Sequence, residues 1–169
     1  EEDIAVYRAR ARVTVTPTLD FSSLLKKNIL RRAQALREDL QDTGIVLVAY
    51  GDKAYNQQWE ALMGDIGRYL KLKAEVDTVA YAWCGHIVDY AAQPTTDAIN
   101  QVFELEDRVM VIPLLVAYDP NFQVEIIQAG VEQAERGAEV LYRPDAILPD
   151  ENLNAWVIEI VQQTVAQMV

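Results

Sequence analysis

Gly44-Ile-Val-Leu-Val-Ala-Tyr-Gly51 and Arg108-Val-Met-Val-Ile-Pro-Leu-Leu-Val-Ala-Tyr118 are the two stretches that decide the fold. Both are apolar on successive residues, which is typical of central strands that are buried on both faces of a parallel sheet. Each runs into a loop and then into an amphipathic helix. Because open α/β sheets bind ligands at the carboxyl ends of such strands, the residues that follow them are the first candidates for a functional site.

The rest of the chain alternates strand and helix patterns. A helix with an apolar stripe follows Asp52, a strand is predicted over 76–83, and a further helix begins near Pro94. A third helix over 122–136, a short strand over 139–142 and a last amphipathic helix complete the pattern. This alternation predicts an α/β protein with a flavodoxin-like, three-layer architecture, in which helices cover both faces of a parallel sheet.

The first 43 residues differ from the remainder in their charge. They carry nearly equal numbers of acidic and basic residues, whereas most of the net charge of −11 lies after them. Alternation of Arg8, Arg10 and Arg12 with apolar residues predicts a strand over 8–15, and a helical pattern follows up to Leu40. We predict that 1–43 is a strand–helix unit, the tail of a missing preceding domain, and that 44–169 is the α/β domain.

Composition excludes several classes of function. The acidic body repels phosphate backbones, so we expect no nucleic-acid partner. No apolar run reaches the roughly 18 residues of a membrane span, so we expect no membrane partner. The start, Glu-Glu-Asp, is neither a signal peptide nor an initiator methionine, which predicts a chain cut from a longer, cytoplasmic protein. Cys84 and His86 are the only cysteine and histidine, so an internal disulfide or a two-histidine site is excluded.

Over residues 44–168 the sequence resembles the class II tetrapyrrole metal chelatases, the small sirohydrochlorin cobalt and iron chelatases. The resemblance is most specific at 45–52, Ile-Val-Leu-Val-Ala-Tyr-Gly-Asp, and at 111–116, Val-Ile-Pro-Leu-Leu-Val. It implies a lyase of cobalamin or sirohaem biosynthesis that inserts Co²⁺ or Fe²⁺, as a substrate, into a sirohydrochlorin-type tetrapyrrole without an organic cofactor. It also implies a second chelatase-like half, or a homodimer, as partner, with this chain as the second half of a two-half protein.

The resemblance places the family's functional positions on Tyr50, Asn121 and Glu125, which we take as the candidate catalytic residues. The two metal-binding histidines of the family fall on Tyr50 and Asn121, and the acidic residue that follows is kept as Glu125. A phenol is protonated near neutral pH and a carboxamide is a weak ligand. The expected metal site is therefore degenerate, with poor affinity for cobalt.

Two further groups of residues are candidates for binding. The Cys84-x-His86 pair supplies soft ligands after the second strand, or else Cys84 is simply buried and His86 is satisfied by local hydrogen bonds. If the chain holds a metal ion, we expect His86 and Glu125 to bind it. For the macrocycle, we expect contacts with Tyr50, Trp83 and Tyr118. Other residues have structural interpretations: Asp119 as a helix cap, and Trp59 and Trp156 as core residues.

Other functions compete with metal insertion. The chain could be a non-catalytic structural or ligand-binding half that completes the cleft of a partner domain. A phosphoryl receiver needs an acidic cluster and a later lysine, but no lysine follows Lys73. A flavin site needs a hydroxyl- and glycine-rich phosphate loop, which 52–56, Asp-Lys-Ala-Tyr-Asn, does not provide.

Overall fold

The described part of the chain contains one sheet of four strands, all parallel, in the order β2-β1-β3-β4. The computed structural model describes Val13, Thr14, Thr16 and residues 21–167, without the side chains of Phe21 and Ser22. The strands are β1 Thr43–Ala49, β2 Val79–Trp83, β3 Arg108–Leu114 and β4 Leu141–Tyr142. The parallel sheet confirms the α/β, flavodoxin-like class that the sequence predicts.

Helices cover both faces of the sheet, which confirms the three layers. The helices α1 and α2 pack on one face, whereas α3 and α5 pack on the other. The helices are α1 Lys26–Leu36, α2 Asn56–Ala74, α3 Gln93–Phe103, α4 Pro120–Phe122, α5 Ala129–Gln133 and α6 Glu151–Ala166. A π-helical turn, Phe21–Leu25, leads into α1, and another, Gln123–Gln128, joins α4 to α5. Residues Asp20–Asp150 form one compact unit that holds the sheet, and α6 belongs to a second unit.

The core is built around β1, in which every residue is buried. Val46 and Val48 pack in a cluster with Ile99 of α3 on one side of the sheet. Since successive side chains of a strand point to opposite faces, Ile45 and Leu47 are directed to the other helical layer. Burial on both faces explains why this strand reads as an unbroken apolar run.

Pro113 lies inside β3, where a missing N–H would normally break the ladder. The register pairs β4 only with Met110 and Val111, so no strand of the described residues lies beside Pro113 on that edge. The carbonyl of Pro113 accepts a hydrogen bond of 2.8 Å from Arg32 Nη1, and Arg32 also forms an ion pair with Asp145. On this edge, Pro113 therefore has no described strand partner for which a backbone N–H would be needed. The two bonds of Arg32 also fix α1 to the carboxyl end of β3.

The predictions for the N-terminal 43 residues fall largely outside the described residues. Of the strand expected over 8–15, Val13 and Thr14 are described; neither lies in a strand, and Val13 is 72% exposed. The described helix of this region, α1, packs on β3 and on α2 within the same compact unit as the sheet. A missing preceding domain stays a prediction. Within the described ranges, no helix is both long and apolar enough to cross a bilayer.

Candidate functional site at the carboxyl edge of the sheet

The carboxyl edge of the sheet contains a topological switch point between β1 and β3. From β1 the chain passes to β2 on one side, and then crosses to β3 on the other side. The loops after β1 and β3 therefore leave the sheet in opposite directions and open a crevice between them. In folds of this type, that crevice is where ligands bind.

Four polar side chains form a hydrogen-bonded chain at this edge, which we call the Tyr50 network. Tyr50, the first residue after β1, places its Oη 3.0 Å from Nδ1 of His86 and 3.2 Å from Oη of Tyr90. Nε2 of His86 lies 3.1 Å from Oδ2 of Asp52. The network thus joins the end of β1 to the loop that follows β2.

The partners of His86 determine where its proton lies. An ionised carboxylate only accepts hydrogen bonds, so the neutral imidazole carries its hydrogen on Nε2 and donates it to Asp52. Its Nδ1 then accepts from the hydroxyl of Tyr50.

Tyr50 stays protonated at neutral pH. Its pKa is raised above the ordinary value, first by its hydrogen bond with Tyr90, then by burial and by the nearby charge of Asp52. Phenolate is therefore not present in advance, and any chemistry that needs it requires a base to remove the proton. His86 is the base within reach.

The loop after β2 is held in an unusual conformation over Tyr50. The N–H of Gly85 donates to the carbonyl of Tyr50 at 2.8 Å, and a Cβ on Gly85 would lie 2.5 Å from that oxygen. Further on, Asp89 and Tyr90 have φ of 51° and 58°, consecutive left-handed residues that are not glycine. Such backbone is costly and is concentrated at functional sites.

The loop after β3 reaches the network through Phe122. Its ring centroid lies 5.6 Å from that of Tyr50 and 6.1 Å from that of Tyr90. Asp119 caps α4, because its Oδ1 accepts from the N–H of Asn121 at 3.0 Å, as the sequence predicts. Asn121 Nδ2 donates to the same oxygen at 2.9 Å, so this exposed amide is turned toward Asp119.

The remaining predicted site residues lie apart from the Tyr50 network. Glu125 is exposed, and Tyr118 is 53% exposed. Trp83 packs its ring against Trp59 and Tyr81, with centroids 6.2 and 5.7 Å apart. Within the described residues, none of the three predicted side chains has a hydrogen bond, ion pair or ring contact with the network. Their roles in catalysis and binding stay predictions.

Cys84 is not placed to act as a metal ligand. It is fully buried, and burial raises the pKa of its thiol to about 12, so the thiolate is absent at neutral pH. Both ring nitrogens of His86 have protein partners, as the structural interpretation of this pair expects. Nowhere in the described ranges do three or more His, Cys, Asp or Glu side chains converge to hold an ion.

An apolar cavity of about 320 Å³ lies at the same edge, on the face covered by α1 and α2. Its lining comprises Leu25, Tyr55, Gln58, Trp59, Leu62, Leu114, Val116 and Ile147. Trp59 is half-buried and lines this cavity, rather than filling the core. Among the described residues that line this cavity, Tyr55 is the only titratable one. The polar and titratable side chains considered for function at this edge are therefore those of the Tyr50 network.

Sequence reasoning finds Tyr50 and His86 but misses how they are joined. Asp52 is named as a residue of the β1 loop, without its role as the partner of His86. One feature of the sequence points to this pair. The single histidine of the chain needs a hydrogen-bond acceptor, and Asp52 is the first carboxylate after β1.

No protein-family model, curated protein or solved structure matches the chain. The fold and the site define an α/β protein with a polar aromatic cluster at the switch point of its sheet. Its membership of the chelatase family stays a prediction.

Proposed function

We propose that this chain is a chelatase-like domain that binds a sirohydrochlorin-type tetrapyrrole at its carboxyl edge and takes part in inserting Co²⁺ or Fe²⁺. The observation that carries the proposal is the position of His86. Its Nδ1 lies 3.0 Å from Tyr50 Oη, so the only imidazole lies beside the position to which the resemblance assigns a metal-binding histidine. An imidazole supplied from the loop after β2 can thus take over part of that task.

The network offers two of the groups that metal insertion needs. A neutral imidazole holds the incoming ion, and a base accepts the protons that leave the pyrrole nitrogens. His86 supplies the first when its Nδ1 exchanges the hydroxyl of Tyr50 for the ion while Nε2 stays bonded to Asp52, and Asp52, 3.1 Å away, supplies the second. With one imidazole, the ion must take its other ligands from the macrocycle, so we expect slow insertion. The rings of Tyr90 and Phe122 provide a wall for a flat ligand.

The test is an absorbance titration of the purified chain with sirohydrochlorin, first alone and then with Co²⁺. We expect binding of the macrocycle, and slow insertion that falls about tenfold or more in His86→Ala. Gln101→Ala, at an exposed position of α3 outside this site, is the control and leaves both steps unchanged. Binding without insertion would favour the alternative of a half that completes the cleft of a partner domain. Absence of both binding and insertion would overturn the proposal.

A gain of activity provides a second, stricter test. Asn121→His restores a histidine at the second family position, and the exposed side chain that it replaces donates a hydrogen bond to Asp119. We expect Asn121→His to speed cobalt insertion above the wild-type rate. Gln128→His, further along the same helical segment, is the matched control and leaves the rate unchanged. Equal rates for the wild type and Asn121→His would contradict the proposed placement of the metal.

A further inference from the structure

We propose that Asp52, His86 and Tyr50 form a nucleophilic triad in which Tyr50 attacks a neutral acyl or sulfonyl electrophile that carries a flat aromatic group. The inference does not depend on tetrapyrrole binding. It rests on an arrangement that defines triads whatever the fold: a nucleophile hydrogen-bonded to a base, and a base oriented by a third group. Here the two distances are 3.0 Å, from Tyr50 Oη to Nδ1, and 3.1 Å, from Nε2 to Asp52 Oδ2.

The direction of each hydrogen bond fits this role. Asp52 holds the hydrogen of His86 on Nε2, which leaves the lone pair of Nδ1 free to accept the phenolic proton. As that proton moves, the imidazolium that forms stays next to the Asp52 carboxylate, which stabilises it. Asp52 is itself fixed, because its Oδ1 accepts from the N–H of Ala54 at 2.7 Å.

The surroundings of Tyr50 indicate the class of electrophile. The rings of Phe122 and Tyr90 flank the phenol, with centroids 5.6 and 6.4 Å away, so a flat aromatic group packs beside it. The His86 side chain is 43% exposed, so a small reagent can reach the base and its phenol. Among the described residues, the side chains in contact with Tyr50 include no arginine or lysine, which favours a neutral electrophile over a phosphate.

The step balances without a further reactant. Tyr50 Oη forms a bond to the electrophilic centre, the bond to the leaving group breaks with its electron pair, and the phenolic proton passes to His86 Nδ1. With phenylmethylsulfonyl fluoride as the probe, an S–O bond forms, the S–F bond breaks and fluoride leaves. The adduct is stable and can be located by peptide mass spectrometry.

The experiment measures labelling of individual tyrosines by phenylmethylsulfonyl fluoride in the intact chain. Tyr55 and Tyr118, which are 61% and 53% exposed and lack a histidine partner, are the internal controls. We expect Tyr50 to react about tenfold or more faster than either, and this advantage to disappear in His86→Gln, since a general base contributes about 10²–10⁴-fold. Asp52→Asn keeps an oxygen for Ala54 but turns an N–H toward Nε2, which favours the tautomer with its hydrogen on Nδ1, so we expect this variant to remove the advantage of Tyr50 as well.

Two controls complete the comparison. Gln101→Ala, at an exposed position of α3 outside the Tyr50 network, should keep the labelling of Tyr50 within about threefold. Constant labelling of Tyr55 in every variant shows that the reagent acts equally on all samples, and an unchanged circular dichroism spectrum shows that each variant is folded. Labelling of Tyr50 at the rate of Tyr55 and Tyr118 in the wild type, or unchanged labelling in His86→Gln, would overturn the triad. Neither result depends on whether the chain binds a tetrapyrrole.

Discussion

Gly85 is the residue on which assembly of the Tyr50 network depends. A Cβ at this position would lie 2.5 Å from the carbonyl oxygen of Tyr50 and 2.9 Å from its ring. Backbone and ring cannot both move aside, because the same loop brings His86 and Tyr90 to Tyr50. The close approach, rather than a special backbone angle, explains glycine here.

We therefore expect Gly85→Ala to lower the free energy of unfolding by about 1–3 kcal/mol, the usual cost of overpacking. It should also remove the reactivity advantage of Tyr50. Urea denaturation measures the free energy of unfolding, and labelling by phenylmethylsulfonyl fluoride measures the reactivity of Tyr50. Gly64→Ala is the control, because its Cβ would meet only Arg68 Nη1 at 3.8 Å. Within helix α2 that change should stabilise the protein by about 0.5–1 kcal/mol. Equal stability of the two variants would contradict this account.

At the scale of elements, one buried side chain explains the π-helical turn between α4 and α5. Gln123 is fully buried; its Oε1 accepts from the N–H of Asp119 at 3.0 Å, and its Nε2 donates to the carbonyls of Ala117 and Asp145 at 3.2 Å. Its own carbonyl accepts the hydroxyl of Tyr142 at 2.5 Å. The turn thus fastens the loop after β3 to the segment after β4.

Replacement of Gln123 by leucine should lower the free energy of unfolding by about 2–3 kcal/mol, because one buried N–H and two carbonyls lose their partner. Chemical denaturation measures the change. Gln128→Leu is the matched control, since Gln128 bonds only the exposed Glu132 at 2.8 Å, and its effect should stay within about 0.5 kcal/mol. A loss of the same size in both variants would show that the bonds of Gln123 contribute no special stability.

The same elements mark the limit of what the sequence predicts. The strands β1 and β3 are predicted because both of their faces are buried, and Asp119 as a cap because of its residue type and position. The sequence predicts one helix over 122–136 and misses the π-helical turn inside it. The hydrogen bond that Tyr142 donates to this turn leaves no trace in the hydrophobic periodicity. The contact of His86 with Tyr50 joins residues 36 apart. It depends on the path of the loop from Gly85 to Tyr90, which hydrophobic periodicity does not encode.

At the scale of the whole molecule, Cys84 reports on global unfolding. It is fully buried at the end of β2, and its pKa is raised to about 12 by burial. Iodoacetamide at pH 8 should therefore modify it only in molecules that have unfolded, so the labelling rate should follow the unfolded fraction as urea is added. Labelling of the native chain at the rate of an unstructured peptide would contradict this expectation.

The same thiol makes stability depend on alkaline pH. The pKa of the Cys84 thiol is higher in the folded chain than in the unfolded chain. The contribution of the protonated thiol to the free energy of unfolding is therefore fully present below the pKa of the unfolded thiol, about 8.5. It is lost as pH rises toward about 12. The wild type should thus lose stability more steeply than Cys84→Ala over this window. The urea midpoints of both proteins, measured at each pH, give the difference in stability. The other titrating groups are the same in the two proteins, so their contributions cancel in this difference. Parallel curves would contradict the raised pKa.

All four strands end at one edge, and the side chains of the Tyr50 network lie on the loops beyond them. The residues that carry the chemistry are consequently different from the residues that build the sheet. The loops can therefore be substituted while the core stays intact. Loop grafting at residues 50–56 and 84–91 would turn this scaffold into a host for new reactions, provided that each graft keeps a glycine where the two loops touch.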